Sequence, residues 1–192
     1  PGKQAAAGVG QFEMLYLYDK YFSEYNHTVG QVLLTRYSLD DPESRQNVRN
    51  TFEALFGMGA IPVVNENDTV ATDEIKVGDN DTLSAIVTQI IQADALIILS
   101  DIDGLYTADP AKDAAARLVP EVREITDALM DTASGAGSSR GTGGMLTKLT
   151  AGRIALAAGA DMYIVNGKNP DVLYDLTEGK PAGTHFIARE GC

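Results

Sequence analysis

The chain has 192 residues, 44% hydrophobic and 22% charged, with a formal net charge of -12. That is the make-up of one soluble globular domain with a sizeable core. Its negative charge repels nucleic acid and anionic membrane, so neither is an expected partner. The single cysteine, Cys192, cannot staple the domain internally. The longest apolar run, Ala95 to Leu99, is too short to span a bilayer, and no secretory signal opens the chain. A reducing cytoplasm is the expected compartment. Pro1 already lies inside what reads as a helix, so an upstream segment is expected.

In chain order, Lys3 to Tyr25 carries Leu15, Tyr18 and Phe22 at three- and four-residue spacing, which predicts a helix with a wide apolar stripe. Val32 to Leu34 predicts a short buried strand. Asp41-Pro42-Glu43 opens a second helix, with Pro42 suited to its first turn. Val48, Phe52, Leu55 and Phe56 line one face of it, and Gly57 and Gly59 end it. Ile61 to Val64 is the next strand. Asn65 to Asp81 is polar and loop-like, with a short hairpin expected near Ile75 and Val77. Leu83, Ile86, Val87, Ile90 and Ile91 follow at helical spacing. Ala95 to Leu99 is continuously apolar and predicts a strand covered on both faces.

Asp101 to Pro120 is a long polar stretch, and the Gly/Ser-rich run from Ser134 to Gly144 is expected to be mobile. A helix is expected from about Met145 to Ala158, a strand over Met162 to Val165, a short helix over Asn169 to Thr177, and an edge strand over Thr184 to Ala188. Strands alternating with helices predict an α/β domain, a three-layer αβα sandwich around a mainly parallel central sheet. Ligands of such sheets bind beyond the carboxyl ends of the strands. That singles out the loops after Val64, Leu99 and Val165.

Three segments carry candidate chemistry. Asn65-Glu66-Asn67-Asp68, continuing to Gly78-Asp79-Asn80-Asp81, gathers carboxylates just before a helix. It reads either as a solvated acidic loop that caps that helix or as a pocket for a molecule bearing an ammonium group. In the second reading Asp68 pairs with the ammonium, while Asn80 and N–H groups at the helix start receive carboxylate oxygens. Leu99-Ser100-Asp101 ends a strand where a nucleotide would lie, although many strands end in such a turn. Gly141-Thr142-Gly143-Gly144-Met145-Leu146-Thr147-Lys148 combines glycines, which let a phosphate approach backbone N–H groups, with a helix start and a lysine. Its spacing is not that of the Walker P-loop, and a flexible linker beside an ordinary lysine has the same composition. No His/Cys cluster has metal-ligand spacing, and none of the segments is a nucleophile elbow.

Taken in order, IPVVNENDTVATDEIKVGDNDTLSA, LIILSDIDGLYTADP, GTGGMLTKLTAGRIALAAGA and IVNGKNP resemble the amino acid kinase family, and within it the members that phosphorylate glutamate. The NEND…GDND pair is the most specific part of the likeness. The resemblance implies ATP-dependent phosphorylation of the γ-carboxylate of L-glutamate, with Mg2+ as the nucleotide's companion, proline as feedback inhibitor and a homodimer or homotetramer. It implies glutamate binding by Asp68 and Asn80, with Asn65 and Asp79 beside them. Asp81 is implied to position catalytic groups. ATP binding is implied for Ser100, Asp101, Thr142, Gly143, Gly144, Met145, Leu146, Thr147 and Lys148, with Lys148 stabilising the transferring phosphoryl group. It also implies that residues 1–192 form one kinase domain without the family's first strand and its phosphate loop, and without the RNA-binding-like domain that follows in many members. Two other readings stand beside it: another carboxylate or carbamate kinase of the same fold, and a non-catalytic amino-acid-sensing module.

Overall fold

The fold was taken from a computed structural model, which describes residues 2–70, 77–135 and 144–188. The chain divides into two compact units, Pro1–Leu83 and Ser84–Cys192.

The first unit opens with α1 (Gly2–Ser23), which packs on β1 (Val29–Leu34). The predicted apolar stripe does not become a buried one: no residue of α1 is fully buried, and Phe12, Tyr16 and Tyr21 are more than half exposed. After β1 come α2 (Arg36–Asp40) and α3 (Pro42–Gly57). The start of α3 is fixed as the sequence predicts. Asp41 caps it by accepting from the Ser44 N–H at 2.8 Å, and Pro42 fills the first turn, where no N–H is needed. The Ser44 bond holds the Asp41 carboxyl below the usual carboxylate range. On its inner face α3 buries Phe52, and it passes so close to β1 that a Cβ on Gly30 would lie 2.7 Å from Leu55 Cδ2. The helix returns the chain to β2 (Ile61–Glu66), which pairs in parallel with β1, Val29 opposite Ile61 and Leu34 opposite Glu66. Of the hairpin expected near Ile75 and Val77, residues 71–76 lie outside the described residues.

The second unit takes in most of α4 (Asn80–Ile91), then β3 (Ala95–Ser100), β4 (Glu121–Val122), α5 (Asp127–Gly135), α6 (Met145–Ala157), β5 (Asp161–Asn166), α7 (Val172–Thr177) and β6 (Thr184–Phe186). Its sheet has the order β3-β5-β6-β4, so the described strands form a two-stranded and a four-stranded sheet. β3 and β5 are parallel and in register from Ala95↔Asp161 to Ser100↔Asn166. The core lies on one face, where Leu149, Ala151, Ala155, Met162, Ile164 and Phe186 are fully buried. A fully buried side chain of this kind contributes roughly 1.5–3 kcal/mol. Gly152 lets α6 close on β5, since a Cβ there would lie 2.8 Å from Met162 Cε.

Two expectations are corrected. Among the described residues β3 is buried on one face: Leu96 and Ile98 are buried, while Ile97 and Leu99 are 37% and 47% exposed. Its unbroken apolar run concealed that alternation. The last strand is not an edge strand. β6 lies between β5, which it pairs antiparallel, and β4, which it pairs parallel, because the two-residue β4 supplies the true edge. Most of the stretch from Ser134 to Gly144, expected to be mobile, falls outside the described residues.

Candidate functional site

The carboxyl end of β2 forms a cleft with α1. Asn65, Glu66, Asn67, Asp68 and Thr69 make one wall; Ala7, Gly10, Gln11 and Met14 of α1 make the other, with Leu33 at the base, around a volume of about 190 Å3. Asn65 and Asp68 are thereby brought into one cavity. Asn65 Nδ2 donates to Gln11 Oε1 at 2.8 Å, which ties strand to helix. Glu66 is buried, and its Oε1 accepts from the Val77 N–H at 2.7 Å. That bond holds the segment entering α4 to the end of the strand. Sequence reasoning assigned no role to Gln11 or Glu66. Glu66 stood inside the motif; nothing along the chain marked Gln11.

At the start of α4, Asp79 does what the plainer reading expects. Its Oδ1 accepts from the Thr82 N–H at 2.7 Å and its Oδ2 from the Thr82 hydroxyl at 2.9 Å. Both oxygens are engaged in capping, so Asp79 organises the loop. Asn80 is exposed on the first helical position, and Asp81 is half-buried beside it in the first turn, where a carboxylate complements the helix dipole.

In the second unit, β3 and β5 end together. The Ser100 hydroxyl donates to Asp101 Oδ1 at 3.3 Å, and the Ser100 carbonyl accepts from the Gly167 N–H at 2.8 Å. Two further residues that the sequence did not flag brace this edge. Asp103 accepts from Asn166 Nδ2 at 2.7 Å and from the Tyr106 hydroxyl at 2.9 Å. The Asn166 bond first, then the Tyr106 bond, holds the Asp103 carboxyl below the usual range, and the same contact raises Tyr106 above its own. Thr184 secures the loop from beneath. Its fully buried hydroxyl accepts from the Leu105 N–H at 2.8 Å and donates to the Val119 carbonyl at 2.6 Å.

Gly144 precedes α6 in an extended conformation. The Thr147 hydroxyl turns back to the Gly144 carbonyl at 2.8 Å. Met145 is half-buried and Leu146 is 39% exposed, whereas Lys148, one turn in, is only 6% exposed. A lysine so deeply placed is unusual for a solvated surface residue. Thr142 and Gly143 lie outside the described residues. No helix among the described residues is long and apolar enough to cross a membrane.

The chain is similar to known proteins over nearly all its length. It is 50% identical over 193 residues to a glutamate 5-kinase of Clostridium perfringens, covering 98% of this chain and 72% of that protein. It is 52% identical over 188 residues to a glutamate 5-kinase of Clostridium tetani, covering 98% of this chain and 70% of that protein. Among solved structures, carbamate kinase from Giardia lamblia bound to AMP-PNP superposes with a TM-score of 0.65 at 18% identity, covering 96% of this chain and 70% of that one. The T. acidophilum isopentenyl phosphate kinase product complex does so with a TM-score of 0.60 at 15% identity, covering 92% of this chain and 66% of that one. These last two share the α/β sandwich fold. The profile of the amino acid kinase family matches residues 2–166, and with half-identical relatives across the same span the chain belongs to that family.

Proposed function

We propose that this chain carries glutamate- and ATP-binding parts of an enzyme that transfers the γ-phosphoryl group of ATP to the γ-carboxylate of L-glutamate, giving γ-glutamyl phosphate for proline biosynthesis. The observation that carries the reading is the 50% identity to a glutamate 5-kinase over 98% of the chain.

The chemistry suits residues without a catalytic base. A γ-carboxylate is already a nucleophile at neutral pH. Its oxygen forms a bond to the terminal phosphorus while the bond from that phosphorus to the bridging oxygen breaks and ADP leaves. What the protein supplies is position and positive charge. Asp68 pairs with the substrate ammonium, and Asn80 and N–H groups at the start of α4 receive carboxylate oxygens. Ser100, Asp101 and the segment from Thr142 to Lys148 hold the nucleotide. Lys148 balances the charge that develops on the transferring group, and Asp81 orients the lysine chemistry. Among the described residues no three His, Cys, Asp or Glu side chains gather as a metal cage. Magnesium, brought in with the nucleotide, would supply further positive charge to the transferring phosphoryl group. Proline inhibition at or near the glutamate site, a homodimer or homotetramer and a cytoplasmic location belong to the same reading.

The test is a hydroxamate assay of the natural full-length protein with ATP and magnesium. Activity on glutamate should stand well above that on aspartate, acetylglutamate and carbamate. Equal or better turnover of any of these would transfer the assignment to another kinase of the fold, and no turnover of any would favour a sensing module.

A further inference from the structure

The cleft beside β2 contains a donor that no described residue satisfies. Gln11 Oε1 accepts from Asn65, but Gln11 Nε2 is shut off from solvent and has no hydrogen-bond partner. Swapping the amide ends of Gln11 alone would only turn two donors toward each other. Native proteins leave few buried donors unmet, because such a group has lost its water without replacement.

We infer that Gln11 is a specificity-determining residue that donates from Nε2 to the α-carboxylate of the bound amino acid. This rests on reading the cleft as the glutamate site. Glutamate carries two carboxylates and one ammonium. Among the described residues, the cleft's charged groups are Glu66 and Asp68, both acidic, and its lining includes no Lys, Arg or His. Among the described residues, neutral donors are therefore the groups that can meet a substrate carboxylate there. Asn65 Nδ2 is committed to Gln11, and the Thr69 hydroxyl to Asn67 Oδ1. Among the described residues, Gln11 Nε2 is the cleft donor that is both unused and dry. Since the ammonium and the α-carboxylate share one carbon, an ammonium held by Asp68 brings the α-carboxylate into this cleft. The γ-carboxylate is left as the free, reacting end. A hydrogen bond to a charged group in a dry site discriminates strongly against a ligand that lacks it.

The experiment compares the full-length enzyme with Gln11→Leu and Gln11→Glu. It measures KM for glutamate, KM for ATP, and inhibition by 4-aminobutyrate, which is glutamate without its α-carboxylate. Gln11→Leu should raise the glutamate KM about tenfold or more while leaving the ATP KM and the 4-aminobutyrate inhibition constant unchanged. Gln11→Glu, which sets like charges together, should do at least as much. If Gln11→Leu fails to fold, the near-isosteric Gln11→Glu carries the same comparison. An unchanged glutamate KM, or an equal weakening of glutamate and 4-aminobutyrate, overturns the assignment. Failure of the unsubstituted enzyme to phosphorylate glutamate is a separate result that removes the proposed function, and this inference with it.

Discussion

Thr184→Val removes one oxygen atom from a fully buried side chain and keeps its shape, so the change isolates two hydrogen bonds. The Leu105 N–H and the Val119 carbonyl both lose Thr184 Oγ1 as their partner. The Leu105 N–H is then buried and unmet and the Val119 carbonyl part-buried and unmet, at about 1–3 kcal/mol apiece. The sum, roughly 2–6 kcal/mol, is a large part of the ~5–15 kcal/mol that holds a typical domain. No cavity forms, so the loss is polar in origin. Thr184→Ser keeps the hydroxyl and deletes a methyl, which should cost only about 1 kcal/mol. Urea unfolding of both variants checks this. Thr184→Val should lower the midpoint far more than Thr184→Ser, with the slope unchanged. Because the same hydroxyl anchors the loop after Ser100 and Asp101, Thr184→Val should also raise the KM for ATP. Serine and valine variants of equal stability would refute the reasoning, because the hydroxyl would then be shown to contribute nothing beyond its neighbours' packing.

Lys148→Met keeps the buried aliphatic stem and deletes the charge; kcat should fall by about 10²–10³, with the thermal midpoint close to that of the unsubstituted protein, as read by steady-state kinetics beside calorimetry. For Asp103 the sign follows from its lowered folded-state pKa. The Asn166 and Tyr106 contacts stabilise the fold above the ordinary carboxyl value of 3.8 and are lost as pH falls through the still lower folded value. The stability gap between the unsubstituted protein and Asp103→Ala should therefore be constant at neutral pH and close in strong acid. It should be small, because the group is largely exposed and solvent screens it. Urea midpoints measured across the acid range test this, and a gap that widens in acid would reverse the assignment.

The parts of the fold legible in the sequence were those with local causes. Asp41-Pro42 fixed the start of α3, and the i, i+3, i+4 pattern from Leu83 located α4. What was missed was short or depended on distant partners. α2 is five residues long and held by reciprocal bonds between Thr35 and Ser38, a capping box without the Glu or Gln that would have announced it. β4 is too short to show any period. α5 had a visible signal: the Thr126 hydroxyl accepts from the Leu129 N–H, but no apolar stripe of useful length follows it. In the site, the acidic loop was legible as a ligand pocket or a helix cap, and Asp79 takes the second role. Gln11 was not legible, because its partner Asn65 lies 54 residues away. Tertiary pairing of that kind leaves no periodic trace in a single sequence.

The interior position of β6 bears on how the protein is made. Synthesis runs from the amino end, so the strand that joins β5 to β4 leaves the ribosome after the other three strands of its sheet. Until Thr184 to Phe186 emerge, β4 lacks its neighbour and the loop through Leu105 lacks its anchor. The apolar face around Met162 and Ile164 also waits for Phe186. The four-stranded sheet thus joins β4 to β5 only once β6 has emerged. Damage or truncation reaching residues 184–186 would divide the sheet through its centre.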